Sequence, residues 1–417
     1  MASQTDDLVY DVLIIGAGAA GLSCASQLLR CDGTSAFPPS IVIIESLDYV
    51  GGRVRTSTLS RSGVAVDLGA EFIHGSTTVL NELVKEKGFE TFEIFTSAQG
   101  DGGPDDEPTP SGHYGVYYLA DEKLLLRYDS TDPDFTSLNA SFHSLSSLDP
   151  PSVPLHLSVA DHCSVPPRLA QLADAGYANT CCCSSIEDIS LRRTAEYERH
   201  WEENDGCSTS DGGDVRLAGG KFMSDLIDAI AEPAGAHVRL SETVESVEYL
   251  SDVCVVSCAG GEEPYRARKV VVTVPVKVLQ EGDIAFTPPL PPAKVSALGL
   301  YGMEDAAKLI LVFRDRVWPE KVQSCIVGGS PIPEMWFRRC HKTGHHVCCC
   351  FATSKFAERL KGMGEAAAIK VARGLLEEMF GMSEGSELLD SRLMCWSDVP
   401  SVRGGYSYPK VGMNREA

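Results

Sequence analysis

Glycines at positions 16, 18 and 21 form the pattern G-x-G-x-x-G, a spacing that strips side chains from a tight turn. Backbone amides and a helix dipole can then approach a pyrophosphate. Glycines kept only for packing would give the same letters, so the motif needs company. Glu45 supplies it: at the end of the next apolar run it stands where a carboxylate accepts hydrogen bonds from the diol of an adenosine ribose. The stretch E-S-L-D-Y-V-G-G-R-V-R-T follows. There Gly51 and Gly52 permit close backbone approach, and Arg53 offers a planar charged fork to phosphate or to a flavin oxygen. An unrelated surface turn can also contain Gly-Gly-Arg. Followed by D-L-G-A-E-F-I-H-G at Asp67 to Gly75, it points to a flavin rather than to nicotinamide.

Lys308 heads the strand-like run K-L-I-L-V-F and shares a face with Ile310 and Val312. An ammonium on an apolar face is costly unless something uses it; the plainer alternative is a lysine at a strand end that reaches solvent. Trp396 and Tyr406 could form an aromatic wall suited to a cation or its neutral amine, although such rings more often serve a core. Cysteine triplets at 181 to 183 and 348 to 350 cannot converge on one metal, because neighbours on a strand alternate faces. Cys340, His341, His345 and His346 lack paired C-x-x-C spacing, and packing is the expected role. No metal is expected.

These residues need elements to hold them. Val9 to Ile15, interrupted only by Tyr10 and Asp11, suits a parallel strand buried on both faces. Leu22, Ala25, Leu28 and Leu29 recur at helical spacing, Cys31 to Ser40 marks a loop, and Ile41 to Ile44 forms a second strand ending at Glu45. Strand, helix and strand in that order make a nucleotide-binding unit. A helix is expected near Thr77 to Lys87, closed by Gly88. Residues 98 to 114, rich in Gly, Asp and Pro, and 131 to 168, rich in Ser and Pro, read as surface loops or insertions. Met223, Leu226, Ile227 and Ile230 fall on one helical face before Pro233. His237 to Leu240, Thr243 to Tyr249, Val253 to Ser257 and Tyr265 to Val274 read as strands of an antiparallel meander. Strands at Lys308 to Phe313 and His346 to Phe351 and a helix from Ala366 to Phe380 complete the pattern.

Composition bounds the partners. At 417 residues and 43% apolar content the chain can bury two domains without disulfides or metals. Thirty-six Lys and Arg against 58 Asp and Glu give a net charge near −22, which repels phosphate backbones and favours cationic partners; the same acidity would also simply aid solubility. Nucleic acid is therefore not an expected partner. Fifteen Cys without a basic start and apolar run at the N-terminus suggest reduced thiols in the cytoplasm, with a peroxisomal or nuclear address left open. No apolar stretch approaches the roughly 20 residues that span a bilayer, and a membrane is not an expected partner.

Taken together, G-A-G-A-A-G, Glu45, G-G-R and L-G-A-E-F-I-H-G, with A-G-G-K-F at 218 to 222, T-V-P-V-K-V-L at 273 to 279 and W-S-D-V-P-S-V-R-G-G-Y-S-Y from Trp396 to Tyr408, resemble the flavin-dependent amine oxidases. That family includes monoamine oxidases, polyamine and spermine oxidases and histone lysine demethylases, and the I-H-G ending at Gly75 is more like the polyamine oxidases. The resemblance implies an α/β (α+β) fold: a Rossmann-like FAD-binding domain (5–78 and 214–282) interleaved with a mixed-sheet plus helical substrate-binding domain (79–213 and 283–417). It implies non-covalent FAD, held by Gly16, Gly18, Ala19, Gly21, Glu45, Gly51, Gly52, Arg53, Leu68, Gly69, Ala70, Glu71, Val244 and Pro275, with Val244 meeting adenine through its backbone. Gly405 stands where monoamine oxidases carry a flavin-linking cysteine. Lys308, which in the family hydrogen-bonds through a water to flavin N5, Tyr406, Trp396 and His74 are the expected catalytic residues. More residues separate Gly302 from Lys308 than the family usually has.

The implied reaction takes a hydride from the α-carbon of a small cationic amine, most plausibly a polyamine, to flavin N5; the imine is hydrolysed and O2 becomes H2O2. The resemblance also implies that the sequence stops short of the family's Gly-Glu-Ala/Ser-Thr segment, which closes the flavin site, so the chain is expected to lack it. Two alternatives stay open: another substrate on the same fold (an L-amino acid, a porphyrinogen or methyl-lysine), and a truncated paralogue without catalysis.

Overall fold

The computed structural model describes residues 8–30, 38–75, 78–93, 114–127, 130–203, 215–249, 252–261, 263–383 and 385–413. The loops expected at 31 to 40 and 98 to 114 lie largely outside the described residues, as do the side chains of the first two cysteines of the 181 to 183 triplet. Packing divides the chain into two units.

The first unit takes the described residues of Met1–Arg55, Met223–Gly299 and Val399–Arg403. Its seven-stranded sheet is centred on Val9–Ile15, which pairs in parallel with Ile41–Ile44 on one side and Tyr265–Val272 on the other. Leu13, Ile14 and Ile15 are fully or almost fully buried, as a strand covered on both faces requires. The helix Ala19–Arg30 starts three residues after this strand ends. A second helix, Met223–Ala231, buries Met223, Leu226, Ile227 and Ile230, the face that the periodicity marked. The expected meander holds for three strands: Val244–Glu248, Cys254–Cys258 and Tyr265–Val272 run antiparallel in turn. Val238–Arg239 departs from it and pairs in parallel with Ile43 and Ile44. The cause is local: Ser241, with φ 61°, and Glu242 donate backbone bonds to Leu47 and Glu45, which pins the chain to the Glu45 loop and prevents a hairpin.

The second unit takes the described residues of Thr56–Phe222, Leu300–Asp398 and Gly404–Ala417. Its main sheet is mixed, in the order Leu388–Cys395, Ala306–Phe313, His346–Thr353, Glu334–Arg339, Val322–Gly328, Tyr114–Leu119, Leu124–Arg127. All its pairs are antiparallel except Val322–Gly328 with Tyr114–Leu119. Every residue of Ala306–Phe313 is buried. Cys348 and Cys350 point into one core beside Cys325, while Cys349 alternates to the other face. The helix expected from Ala366 is the second half of Ser354–Phe380, whose backbone breaks at Gly364 (φ 75°, ψ 166°) and ends at Gly381 in the left-handed conformation. Residues 131 to 168 are not simply loop. Pro133–His143 is a helix started by Asp132, whose carboxylate accepts from the amides of residues 134 and 135, and Leu138, Leu145 and Val159 are buried. Ser, Asp and Pro read as turn residues there, yet the same residues cap and start helices.

Boundaries by packing fall after residues 55, 222 and 299, against 78, 213 and 282 in the sequence division. Backbone pairing sets them: Thr56–Thr58 pairs with Ala65–Asp67, Ile73 bridges Val215, and Thr91–Glu93 pairs with Val215–Leu217. Among the described residues no helix is long and apolar enough to cross a membrane. No three His, Cys, Asp or Glu side chains among them gather as metal ligands would; the backbone amide of Cys340 instead donates to His345 and closes a turn.

Candidate active site

In the first unit the glycines do mechanical work. A Cβ at Gly21 would fall on the Gly16 carbonyl oxygen, closer than any real side-chain contact, so helix and strand can meet only at glycine. At Gly18 a Cβ would meet nothing among the described residues within 4 Å beyond its own chain neighbours, which leaves open space over the start of the helix. Gly18 bridges Gly51, whose amide donates to Ala17. Gly52, with φ +59°, would place a Cβ 3.5 Å from the Gly18 Cα. Ala19 is exposed at the helix start and Arg53 on its loop. Glu45 is buried; one oxygen accepts from the Ala17 amide at 2.7 Å and the other from the Leu47 amide at 2.8 Å. Its carboxylate thus braces the glycine turn, with lone pairs to spare for a further donor. Val244 is buried where the ladder register shifts, and Pro275 caps the short helix Val276–Gln280.

In the second unit Lys308 does not reach solvent. It is 4% exposed, and its ammonium donates to Glu71 Oε2 at 2.8 Å and to the Asp67 carbonyl at 3.2 Å. The Trp336 ring centroid lies 5.1 Å away. Glu71 Oε1 is 3.0 Å from Arg216 and 3.7 Å from Arg338. Burial pushes the Glu71 carboxyl up, but Lys308, Arg216 and Arg338 together bring it down to about 2. Burial and the Glu71 charge push Asp67 up to about 6, against the Thr56 hydroxyl and Lys308. Burial lowers Lys308, and Glu71, with help from Cys349 and Asp67, more than restores it, leaving it above the ordinary lysine value. Arg216 is lowered by burial, and its Nε has no hydrogen-bond partner among the described residues.

From this cluster a run of rings leads outward. Phe72 meets Trp336 edge to face at 4.4 Å; Trp336 stacks on Phe351 at 4.8 Å; Phe351 meets Tyr406 at 6.0 Å and 83°. Tyr406 is 40% exposed, so it ends an apolar wall that starts at Lys308. Trp396 does not belong to that wall. It is buried, and its indole N–H donates to the Leu68 carbonyl at 3.2 Å, so it braces the Leu68 to Glu71 turn. His74 is exposed, edge-on to Phe72 at 6.3 Å. Leu68 is buried, with Gly69 and Ala70 half-buried beside it. Glu71 turns its carboxylate onto Lys308. Sequence reasoning missed Asp67, Arg216, Arg338, Trp336 and Phe351. Only Asp67 carried a signal, as the first residue of the motif D-L-G-A-E-F-I-H-G.

Gly405 also has a mechanical reason. A Cβ there would overlap the Cβ of Ala306, the first residue of the lysine strand. Gly405→Cys is expected to cost about 1–3 kcal/mol through overpacking and to form no flavin bond. Thermal unfolding, and release of all flavin on acid precipitation, check both; a covalently yellow pellet would contradict the second.

Comparison with known proteins agrees with this architecture. The chain is 27% identical to mouse lysine-specific histone demethylase 1B over 97% of its own length and 48% of that protein. It is 25% identical to probable polyamine oxidase 4 of Arabidopsis thaliana over 99% of its length and 80% of that protein. It spans about half the length of the demethylase relatives it matches. A solved structure of putrescine oxidase bound to putrescine superposes with a TM-score of 0.77 at 19% identity, covering 97% of this chain and 89% of that one. The model of the family "Flavin containing amine oxidoreductase" matches residues 19–417, and with the glycine turn and the lysine strand in place, the chain belongs to that family.

Proposed function

We propose that the chain oxidises amines with FAD, and that its substrates are polyamines. The carrying observation is Lys308, a cation held inside an apolar sheet by Glu71 and joined to exposed Tyr406 by a run of aromatic rings. Burying such a charge is costly unless the site uses it.

The residues present fit the cofactor. Open space over Gly18 and the exposed start of Ala19–Arg30 offer a pyrophosphate the first-turn amides, which no helix satisfies internally. Glu45, Arg53, Val244 and Pro275, in the same unit, would hold the rest of the adenine half. Bound FAD supplies the hydride acceptor for the amine α-carbon. Lys308 donates a fixed hydrogen bond, and the rings exclude water and pack the carbons flanking the amine. The net charge near −22 draws cationic amines at long range.

A second reading, an N-methylated lysine substrate, is favoured by the identity to the histone demethylases. Anaerobic mixing of the yellow protein with spermidine, spermine or a dimethyl-lysine peptide separates the two. Bleaching by the free polyamines at the lower concentration is the expected result; bleaching by the peptide alone would overturn the polyamine assignment.

A further inference from the structure

The ammonium of Lys308 lies among charges contributed by four neighbouring segments. Asp67 ends Ala65–Asp67 and Glu71 follows in the next turn, Arg216 comes from Val215–Leu217, Arg338 and the Trp336 ring from Glu334–Arg339, and Cys349 from His346–Thr353. Three cations therefore share a buried space with two carboxylates and a thiol. The arginines cannot discharge in a protein, whereas a buried lysine readily can. Lys308 is the cation that should go neutral, and one charged group opposes this at bonding distance, beside the neutral Asp67 carbonyl. Glu71 divides its oxygens: Oε2 faces Lys308 at 2.8 Å, while Oε1 takes Arg216 at 3.0 Å. The lysine thus has a carboxylate oxygen to itself. Trp336 backs the arrangement, its own indole N–H held by the buried Glu334, which also accepts from Asn179.

We propose that Glu71 is a positioning residue: its carboxylate holds Lys308 as a fixed ammonium, so that Lys308 serves the reaction as a hydrogen-bond donor and not as the base that takes the substrate amine's proton. The reaction named here rests on the amine oxidase reading; the grip of Glu71 on Lys308 does not. A consequence follows for pH dependence. Substrate must arrive neutral or lose its proton elsewhere, and the rate of flavin reduction in the wild type should follow the amine's own ionisation, with no limb from Lys308.

Two measurements on the FAD-loaded full chain test this. In ¹⁵N–¹H spectra of lysine ammonium groups, a buried, bonded ammonium gives a protected signal, which Lys308→Met assigns by its loss. The signal should persist in the wild type to alkaline pH. In Glu71→Gln its loss should move down by about two pH units or more, because burial and the two arginines are then opposed only by Asp67 and Cys349. Glu71→Asp, which keeps the charge but withdraws it by one methylene, should lie between, and it decides the matter if the Gln variant does not fold. The second measurement is the pH profile of anaerobic bleaching by spermidine, in which Glu71→Gln should gain a limb at the spectroscopic midpoint. A merely structural Glu71 would lower the melting temperature and leave the midpoint unmoved; that result, or no protected ammonium in the wild type, overturns the proposal. Failure of spermidine to bleach the wild type would sink the polyamine reading alone, since the ammonium titration still decides the role of Glu71.

Discussion

Replacing Lys308 with Met should slow anaerobic reduction of the flavin by a polyamine about 10²–10³-fold, the scale on which one preorganised hydrogen-bond donor acts. The protein should remain folded. Removing one partner of a buried ion pair commonly costs about 3–5 kcal/mol, because the other charge is left alone, but Glu71 is not left alone here. Its Oε1 keeps Arg216 at 3.0 Å, and Met is an unbranched side chain of similar reach that can lie against Trp336. Stopped-flow bleaching gives the rate, and the flavin-to-protein ratio shows that cofactor is retained. A rate within threefold of wild type, with full flavin, would remove Lys308 from the chemistry and leave it a structural counter-ion.

The contrast between what the residues announced and what they concealed has one physical source. Backbone-dominated features are legible because they restrict residue type: the glycine turn, the two parallel strands ending at Ile15 and Ile44, and the helix face of Met223 to Ile230 each follow from period or from the absence of a side chain. Lys308 was legible as an anomaly, a charge on an apolar strand. Its partners were not. Arg216 lies 92 positions before it and Arg338 30 positions after it, and nothing in their local context distinguishes them from surface arginines until strands far apart in sequence are paired. Glu71 stands out by the motif it belongs to, but the motif does not reveal that its side chain faces the lysine. Spacing places Trp396 with Tyr406 in the expected substrate wall, yet its indole spends its one donor on the Leu68 carbonyl. A motif identifies which residues matter more securely than the direction in which each side chain points. The 131 to 168 segment failed for a related reason, because Ser, Asp and Pro both break and begin helices.

Gly21→Ala and Gly18→Ala should differ far more than two neighbouring glycine substitutions ordinarily do. At Gly21 the new methyl group meets the Gly16 carbonyl oxygen, a backbone atom tied into the strand ends, since the Gly16 amide donates to Ile44 and the Thr273 hydroxyl bonds the Ile15 and Gly16 carbonyls. Relief would need the helix Ala19–Arg30 to lift from the central strand, at a cost above the usual 1–3 kcal/mol or so of an overpacked core. The first unit should therefore melt many degrees lower and the purified protein should be colourless. Among the described residues nothing beyond its own chain neighbours lies within 4 Å of the new Cβ at Gly18, and its φ is not among those restricted to glycine. Stability without cofactor should stay near wild type. The added methyl instead occupies the space proposed for the pyrophosphate, so FAD affinity should fall at least tenfold, about 1.4 kcal/mol. Thermal unfolding of the cofactor-free proteins and fluorescence titration with FAD separate the two effects. If Gly18→Ala bound FAD as tightly as wild type, the dinucleotide could not lie over the glycine turn, and the fit of the cofactor to Gly16, Gly18 and Gly21 would have to be abandoned.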